Sequence, residues 1–157
     1  MKSLTLGIGI DGKPLVHFYL GMGRERRDFL PRESTFPQFF APVSLLALVD
    51  TGASRTLVEQ KYLEGLGLSP VGEIDVYTLS NGPTPTKCLT DFVELSLNEE
   101  VPGTLKDNLL VVAVANLMGA FGVQILLGRD VIGGLLLTYD GPKRELRLEF
   151  SGEPGGV

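Results

Sequence analysis

Short apolar runs between turn residues dominate the chain, and this pattern favours β-strands over long helices. Two extended-looking pieces fill Leu4 to Gly21, on either side of the turn Asp11-Gly12-Lys13-Pro14. Val43 to Val49 is a continuous apolar run that ends at Asp50, as a short buried strand would. The 20 glycines and 10 prolines provide frequent turns. We therefore predict an all-β fold with one or two short helices.

A helix and a long hairpin are predicted in the middle of the chain. From Thr56 to Glu64 the apolar residues fall close to helical spacing, and Gly65 and Gly67 then supply stop signals. The hairpin has its arms at Glu73–Leu79 and Lys87–Leu97 and its tip at Ser80-Asn81-Gly82-Pro83-Thr84-Pro85. Pro83 lacks the N–H that would close a two-residue Asn-Gly turn, so we expect a wide tip.

The later apolar runs predict further strands. Buried strands are expected at Leu109–Val114 and Gln124–Leu127, and a closing hairpin at Leu135–Tyr139 and Glu145–Phe150 around Asp140-Gly141-Pro142. The length of 157 residues suits one ordinary domain. We place this domain at residues 1–150, with an insertion at residues 21–42 and a flexible tail at residues 151–157. The insertion is longer than most connections in compact domains, so we expect it to be functional or mobile.

Composition and charge argue against several classes of protein. The net charge of -5 disfavours a general nucleic-acid binder, because phosphate contacts need an excess of Lys and Arg. No apolar run approaches the roughly 20 residues that span a bilayer, and the N-terminus lacks the pattern of a signal peptide. The single Cys88 cannot form an intrachain disulfide, which fits a reducing compartment. We expect a cytoplasmic protein without a nucleic-acid or membrane partner.

Several candidate sites carry little weight. Residues 7–12 match the nucleotide-binding pattern G-x-G-x-x-G, but Lys13-Pro14 and another extended run follow where a helix should begin. His17 is the only histidine and lies in a strand-like run, where a packed or edge residue is the simpler interpretation. With one His and one Cys there is no credible metal cluster. No cofactor is expected.

The segment that follows the Val43–Val49 run is a candidate site for carboxylate chemistry, and it reads Asp50-Thr51-Gly52-Ala53-Ser54. A strand would hold Asp50 rigidly in an apolar setting, where the pKa of a carboxyl can be tuned. Gly52 lets backbone approach and can point an N–H at the carboxylate, while Thr51 can fix the turn through its hydroxyl. The alternative is an ordinary turn, since a bare Asp-Thr-Gly arises by chance in roughly a few chains per hundred of this size.

A second segment adds weight to the first, and it reads Ile125-Leu126-Leu127-Gly128-Arg129-Asp130-Val131-Ile132. An apolar-apolar-Asp-Thr-Gly-Ala loop, then a hairpin, then an apolar-apolar-Gly segment resembles the retropepsin family of retroviral-type aspartic proteases. The chain is most similar to the bacterial and cellular single-domain members, because Ala-Ser and a helix follow Asp-Thr-Gly. The resemblance covers about Pro14 to Phe150 and implies a retropepsin-like acid protease half-barrel that assembles as a symmetric homodimer.

The resemblance also implies roles for particular residues. Asp50 would be the catalytic acid, while Thr51 and Gly52 would brace the paired loops across the dimer. A packing segment beneath the active-site loop would consist of Leu126, Leu127 and Gly128. The substrate-binding residues would be Ala53 and Ser54 together with those of the covering hairpin, Leu79, Ser80, Asn81, Gly82 and Pro83.

One position departs from the viral pattern. Retroviral members usually have an acidic residue where this chain has Ser54, and that residue pairs with the arginine corresponding to Arg129. A serine hydroxyl carries no charge, so Ser54 cannot form this ion pair. The resemblance therefore assigns no partner to Arg129.

The implied chemistry needs two carboxylates that share one proton, yet the chain has a single Asp-Thr-Gly. A symmetric dimer with one Asp50 from each subunit supplies both. The predicted function is that of an aspartic endopeptidase acting on flexible or unfolded polypeptide. Two alternatives stay open: a catalytically weak or silent peptide-binding module of the same fold, and an unrelated β-domain in which the motif is accidental.

Overall fold

The computed structural model describes residues 2–8, 11–23, 43–68, 70–76, 86–96 and 104–150. Within these ranges the chain is mostly β, with short helices, as predicted. The strands are β1 (Lys2–Gly7), β2 (Leu15–Met22), β3 (Val43–Val49), β4 (Leu57–Glu59), β5 (Gly72–Val76), β6 (Thr86–Ser96), β7 (Thr104–Val114), β8 (Ile125–Leu127), β9 (Leu136–Asp140) and β10 (Glu145–Phe150). The helices are α1 (Gln60–Gly65), α2 (Leu117–Phe121) and α3 (Arg129–Ile132).

Seven of these strands form one sheet in the order β2-β3-β8-β4-β7-β6-β5. Strand β2 also pairs with β6, so that six strands close into a ring and β5 remains outside it. A separate three-stranded antiparallel sheet has the order β1-β10-β9. Closure satisfies the backbone hydrogen bonds of strands that would otherwise be edges, which makes the ring a rigid support for the loops at its ends.

The core follows from alternation along the strands. In β2, Val16, Phe18 and Leu20 are buried, while His17 between them is exposed. Leu146 and Leu148 of β10 belong to the same buried cluster, so the smaller sheet packs on the ring. Each fully buried side chain of this size contributes about 1.5–3 kcal/mol to folding.

Two strands that are distant in the sequence lie side by side in the middle of the ring. β3 and β8 are parallel, with Leu48 beside Leu126 and Val49 beside Leu127. The side-chain amide oxygen of Gln124 accepts a hydrogen bond from the Leu46 N–H at 2.7 Å, just before β8 begins. The end of β3, and Asp50 after it, is therefore placed directly against the end of β8.

The predicted helix at Thr56–Glu64 is wrong over its first part. Leu57–Glu59 is strand β4, which pairs with β7 on one side and with β8 on the other, and the helix runs over Gln60–Gly65. Strand pairing on both sides supplies backbone partners that outweigh the local helical spacing of the apolar residues.

The other predicted elements agree with the structure where it describes them. The arms of the long hairpin are β5 and β6, which pair in antiparallel fashion. The predicted tip, residues 80–85, and most of the insertion at residues 21–42 lie outside the described residues. In the part of the chain that the structure describes, none of the helices has the length and apolar character needed to cross a lipid bilayer.

Candidate active site

Asp50 lies at the point where β3 ends, and its side chain is half-buried. Its Oδ1 accepts a hydrogen bond from the Gly52 N–H at 2.8 Å, and its backbone carbonyl accepts one from the Ala53 N–H at 3.3 Å. The turn therefore fixes one carboxylate oxygen and leaves the other without a hydrogen bond from the described residues. Thr51 and Gly52 at the top of the turn are exposed.

The loop that begins at Asp50, residues 50–56, rests on residues 127–130. The resemblance implied a packing segment at Leu126, Leu127 and Gly128, which overlaps this range. At the start of the loop the Asp50 N–H donates to the Leu127 carbonyl at 3.0 Å. In its middle the Ala53 carbonyl accepts from the Arg129 N–H at 2.9 Å. Gly128 is buried against the backbone of Arg55, where a Cβ atom would collide with the Arg55 carbonyl group.

The end of the loop is held by two residues that sequence reasoning did not single out, Thr56 and Asp130. Thr56 is fully buried, and its N–H donates to Asp130 Oδ2 at 2.9 Å. Its hydroxyl donates to Asp130 Oδ1 at 2.7 Å and accepts from the Gly128 N–H at 3.1 Å. The sequence offers a weak signal for this pair, a polar residue shortly after each of the two motif segments.

Ser54 and Arg129 are both exposed beside this loop. The backbone N–H of Arg129 donates a hydrogen bond to the Ala53 carbonyl. Within the described ranges its guanidinium makes no ion pair.

The predicted site residues therefore divide into two sets. Asp50, Thr51, Gly52, Ala53 and Ser54 come together on one supported loop at the end of β3. Leu79, Ser80, Asn81, Gly82 and Pro83 lie outside the described residues. Among the described residues, no group of three or more His, Cys, Asp or Glu side chains is arranged to hold a metal ion.

Comparisons with known proteins agree with this arrangement. The profile of a family described as aspartyl protease matches residues 42–131, which include Asp50-Thr51-Gly52 and Leu126-Leu127-Gly128. The chain also superimposes on the crystal structure of a retropepsin-like aspartic protease from Rickettsia conorii. The TM-score is 0.61, the sequence identity is 16%, and the match covers 95% of this chain and 91% of that chain. No curated protein sequence matches the chain.

Residues 42–131 make up more than half of the 157 residues. The chain therefore belongs to the aspartyl protease family, and its fold is that of the retropepsin-like members.

Proposed function

We propose that the protein is an aspartic endopeptidase that works as a symmetric homodimer with one Asp50 from each subunit. The observation that carries the proposal is the single Asp-Thr-Gly at the end of a buried strand, with one Asp50 oxygen held by the Gly52 N–H at 2.8 Å. The fixed oxygen sets the orientation of the carboxyl, while the other oxygen is available for chemistry. A second copy of the same loop completes the pair of carboxyls that this reaction needs.

The two Asp50 carboxyls would take different roles, one as general base and the other as general acid. Two carboxyls about 3 Å apart do not both ionise readily, and aspartic proteases are a well-known case. The charged carboxyl takes a proton from a bound water molecule while the water oxygen bonds to the scissile carbonyl carbon. The C=O double bond becomes a single bond, and its oxygen takes the proton of the other carboxyl, which gives a neutral tetrahedral intermediate.

The proposed substrate is polypeptide in an extended conformation. Ala53 and Ser54 follow Asp50 on the same loop, and we assign both to substrate contact. Ser54 is exposed and suited to contact the backbone of an extended chain, whereas the backbone groups of Ala53 bond to Asp50 and Arg129, so its contact would be through its methyl group. We assign Leu79, Ser80, Asn81, Gly82 and Pro83 to a cover over the bound chain. A cover of this kind would exclude water and strengthen the electrostatic interactions beneath it.

Replacement of the catalytic carboxyl tests the proposal. Asp50→Asn keeps the shape of the side chain but cannot transfer protons, so we expect cleavage of an unstructured protein to be abolished while the fold persists. Cleavage is measured by mass spectrometry of the products, from acidic to neutral pH. The cleavage rate of the wild type, plotted against pH, should be a bell-shaped curve with an optimum below neutral, because one proton must be shared by the two carboxyls.

Two results would contradict the proposal that the protein is an endopeptidase. Equal cleavage by the wild type and by Asp50→Asn would show that other chemistry, or a contaminant, is responsible. Saturable binding of an extended peptide without cleavage at any pH would favour the silent peptide-binding module instead.

A further inference from the structure

The carboxylate of Asp130 joins helix α3 to the end of the loop that carries Asp50. Both of its oxygens accept hydrogen bonds from one residue, Thr56, through the backbone N–H at 2.9 Å and the hydroxyl at 2.7 Å. Thr56 is fully buried, and Gly128 beside it is buried as well. Asp130 itself is half-buried, so the donors lie in the interior and the carboxylate that accepts from them is partly open to solvent. A hydrogen bond to a carboxylate contributes more at such a site than at a fully exposed one.

The direction of every hydrogen bond in this contact is determined by chemistry. An ionised carboxylate only accepts, so the Thr56 hydroxyl must give its hydrogen to Asp130. The lone pairs of the same hydroxyl then accept the Gly128 N–H. The result is one chain of donors, from Gly128 through Thr56 to Asp130, in which removal of any member leaves a buried polar group without its partner.

We propose that Asp130 is a positioning residue, which sets the geometry of Asp50 through Thr56. This inference rests on the proposed function. The loop is short and attached at three points: Asp50 donates to the Leu127 carbonyl, the Ala53 carbonyl accepts from the Arg129 N–H, and Thr56 is held by Asp130. Arg129 and Asp130 are neighbours in α3, so the middle and the end of the loop share one support. Release of the Thr56 end shifts the intervening backbone, which includes the Gly52 N–H that orients Asp50 Oδ1.

Substitutions at both ends of the contact test the proposal. Asp130→Asn keeps the shape of the side chain but replaces one of the two acceptor oxygens by an amide NH₂, which then faces one of the two donors of Thr56. Thr56→Val keeps the volume and removes the hydroxyl, whereas Thr56→Ser retains the hydroxyl. Glu59→Gln is the control, because Glu59 is also a carboxylate that accepts a backbone N–H, from Met118 at 3.0 Å, but at the far end of β4. Glu59 is buried, whereas Asp130 is half-buried, and the Glu59 Oε1 also lies 3.3 Å from the Lys61 ammonium.

Kinetic constants separate positioning from stability. We expect Asp130→Asn and Thr56→Val to lower kcat by about 10- to 100-fold with KM changed by less than about threefold, since small displacements of a reacting group have effects of this size. Thr56→Ser should restore most of the kcat that Thr56→Val loses. Glu59→Gln should lower the thermal midpoint without lowering kcat.

A second measurement does not depend on activity. The amide proton shift of Gly52 in a ¹H–¹⁵N spectrum reports its hydrogen bond to Asp50. We expect this signal to move in Asp130→Asn and Thr56→Val and to stay in place in Glu59→Gln. If the wild type cleaves nothing, the proposed function fails, and the Gly52 signal alone then decides the positioning role.

The inference is overturned if folded Asp130→Asn keeps both its kcat and its Gly52 signal. It is also overturned if Glu59→Gln lowers kcat as far as Asp130→Asn does, because loss of any carboxylate that accepts a backbone N–H would then be sufficient. Should Asp130→Asn not fold, the comparison of Thr56→Val with Thr56→Ser decides the question by the same two measurements.

Discussion

Gly128 shows how strongly a single residue can depend on its surroundings. It lies where the end of β8 meets the loop after Asp50, and its N–H donates to the Thr56 hydroxyl. A Cβ atom there would overlap the Arg55 carbonyl group and approach the Thr56 nitrogen to 2.9 Å. These are backbone atoms, which cannot rotate away as a flexible side chain would. Position 128 therefore has no room for a Cβ atom.

Gly128→Ala should therefore destabilise the protein, by about 1–3 kcal/mol or more, as overpacking of a tight contact does. The matched control is Gly134→Ala, where the nearest atom to an added Cβ is the Val131 carbonyl oxygen at 3.7 Å, an ordinary contact distance. Chemical denaturation of the two variants and the wild type measures the difference. Equal stability of Gly128→Ala and Gly134→Ala would contradict the proposed clash.

Residues of the site differed in how far the sequence could reveal them. Asp50 and Gly128 were found because each lies in a short pattern beside an apolar run, and local patterns are visible in one sequence. The contact of Thr56 with Asp130 spans 74 residues along the chain. Thr and Asp are common on protein surfaces, so neither residue type indicates that the two meet in a buried contact.

At the scale of elements, the turn between β9 and β10 contains a charge contact with a clear pH signature. Asp140 Oδ1 accepts the Lys143 N–H at 3.1 Å, and Oδ2 lies 3.1 Å from the Lys143 ammonium. These hydrogen bonds and the nearby positive charge lower the pKa of Asp140 below its usual value of 3.8. A lowered pKa means that the folded protein favours the charged carboxylate, and the associated stability is present above the unfolded pKa.

Asp140→Asn should lower the thermal midpoint slightly at a pH of about 6, and the difference from the wild type should shrink as the pH falls below about 4. The amide can still accept the Lys143 N–H, so the variant removes mainly the charge. Lys143→Gln is the companion variant, because it keeps the backbone N–H and removes the ammonium. A gap between wild type and Asp140→Asn that widens toward acid would have the wrong sign and would contradict the assignment.

Elements with strong local patterns were predicted well, whereas β4 and the short helices α2 and α3 were not. Val43–Val49 and Glu145–Phe150 are strands with the predicted bounds. β4 was mistaken for helix because Leu57 and Val58 suit either state, and the choice is made by β7 and β8, which follow much later in the chain. The short helices α2 and α3 were missed, since four or five residues leave no periodic pattern to detect.

For the whole molecule, the single Asp-Thr-Gly of each chain leads to a prediction about assembly. If each active dimer needs two Asp50 residues, wild type mixed with an equal amount of Asp50→Asn should retain about one quarter of its activity after free exchange of subunits. The measurement is cleavage rate per total protein, taken once native mass spectrometry of differently tagged chains shows that exchange is complete.

A monomeric enzyme would retain a different fraction of its activity in the equal mixture. Each intact chain would then act alone, and the equal mixture would retain about one half of the activity. Loss of activity on dilution below the dimer dissociation constant provides an independent check on the same arrangement. Activity that stays at one half in the mixture and survives dilution would refute a site shared between subunits.

The distance along the sequence between the Asp50 loop, residues 50–56, and residues 127–130 that support it also affects the order in which the site forms during synthesis. Ribosomes build the chain from its N-terminus, so Asp50 emerges well before Gly128 and Asp130, and the contact that closes the loop joins positions 74 residues apart. Pairing across such distances forms slowly compared with local structure. A nascent chain therefore carries the aspartate without the geometry proposed for catalysis. Under the proposed mechanism, cleavage of any substrate therefore requires that residues 127–130 have first joined the fold.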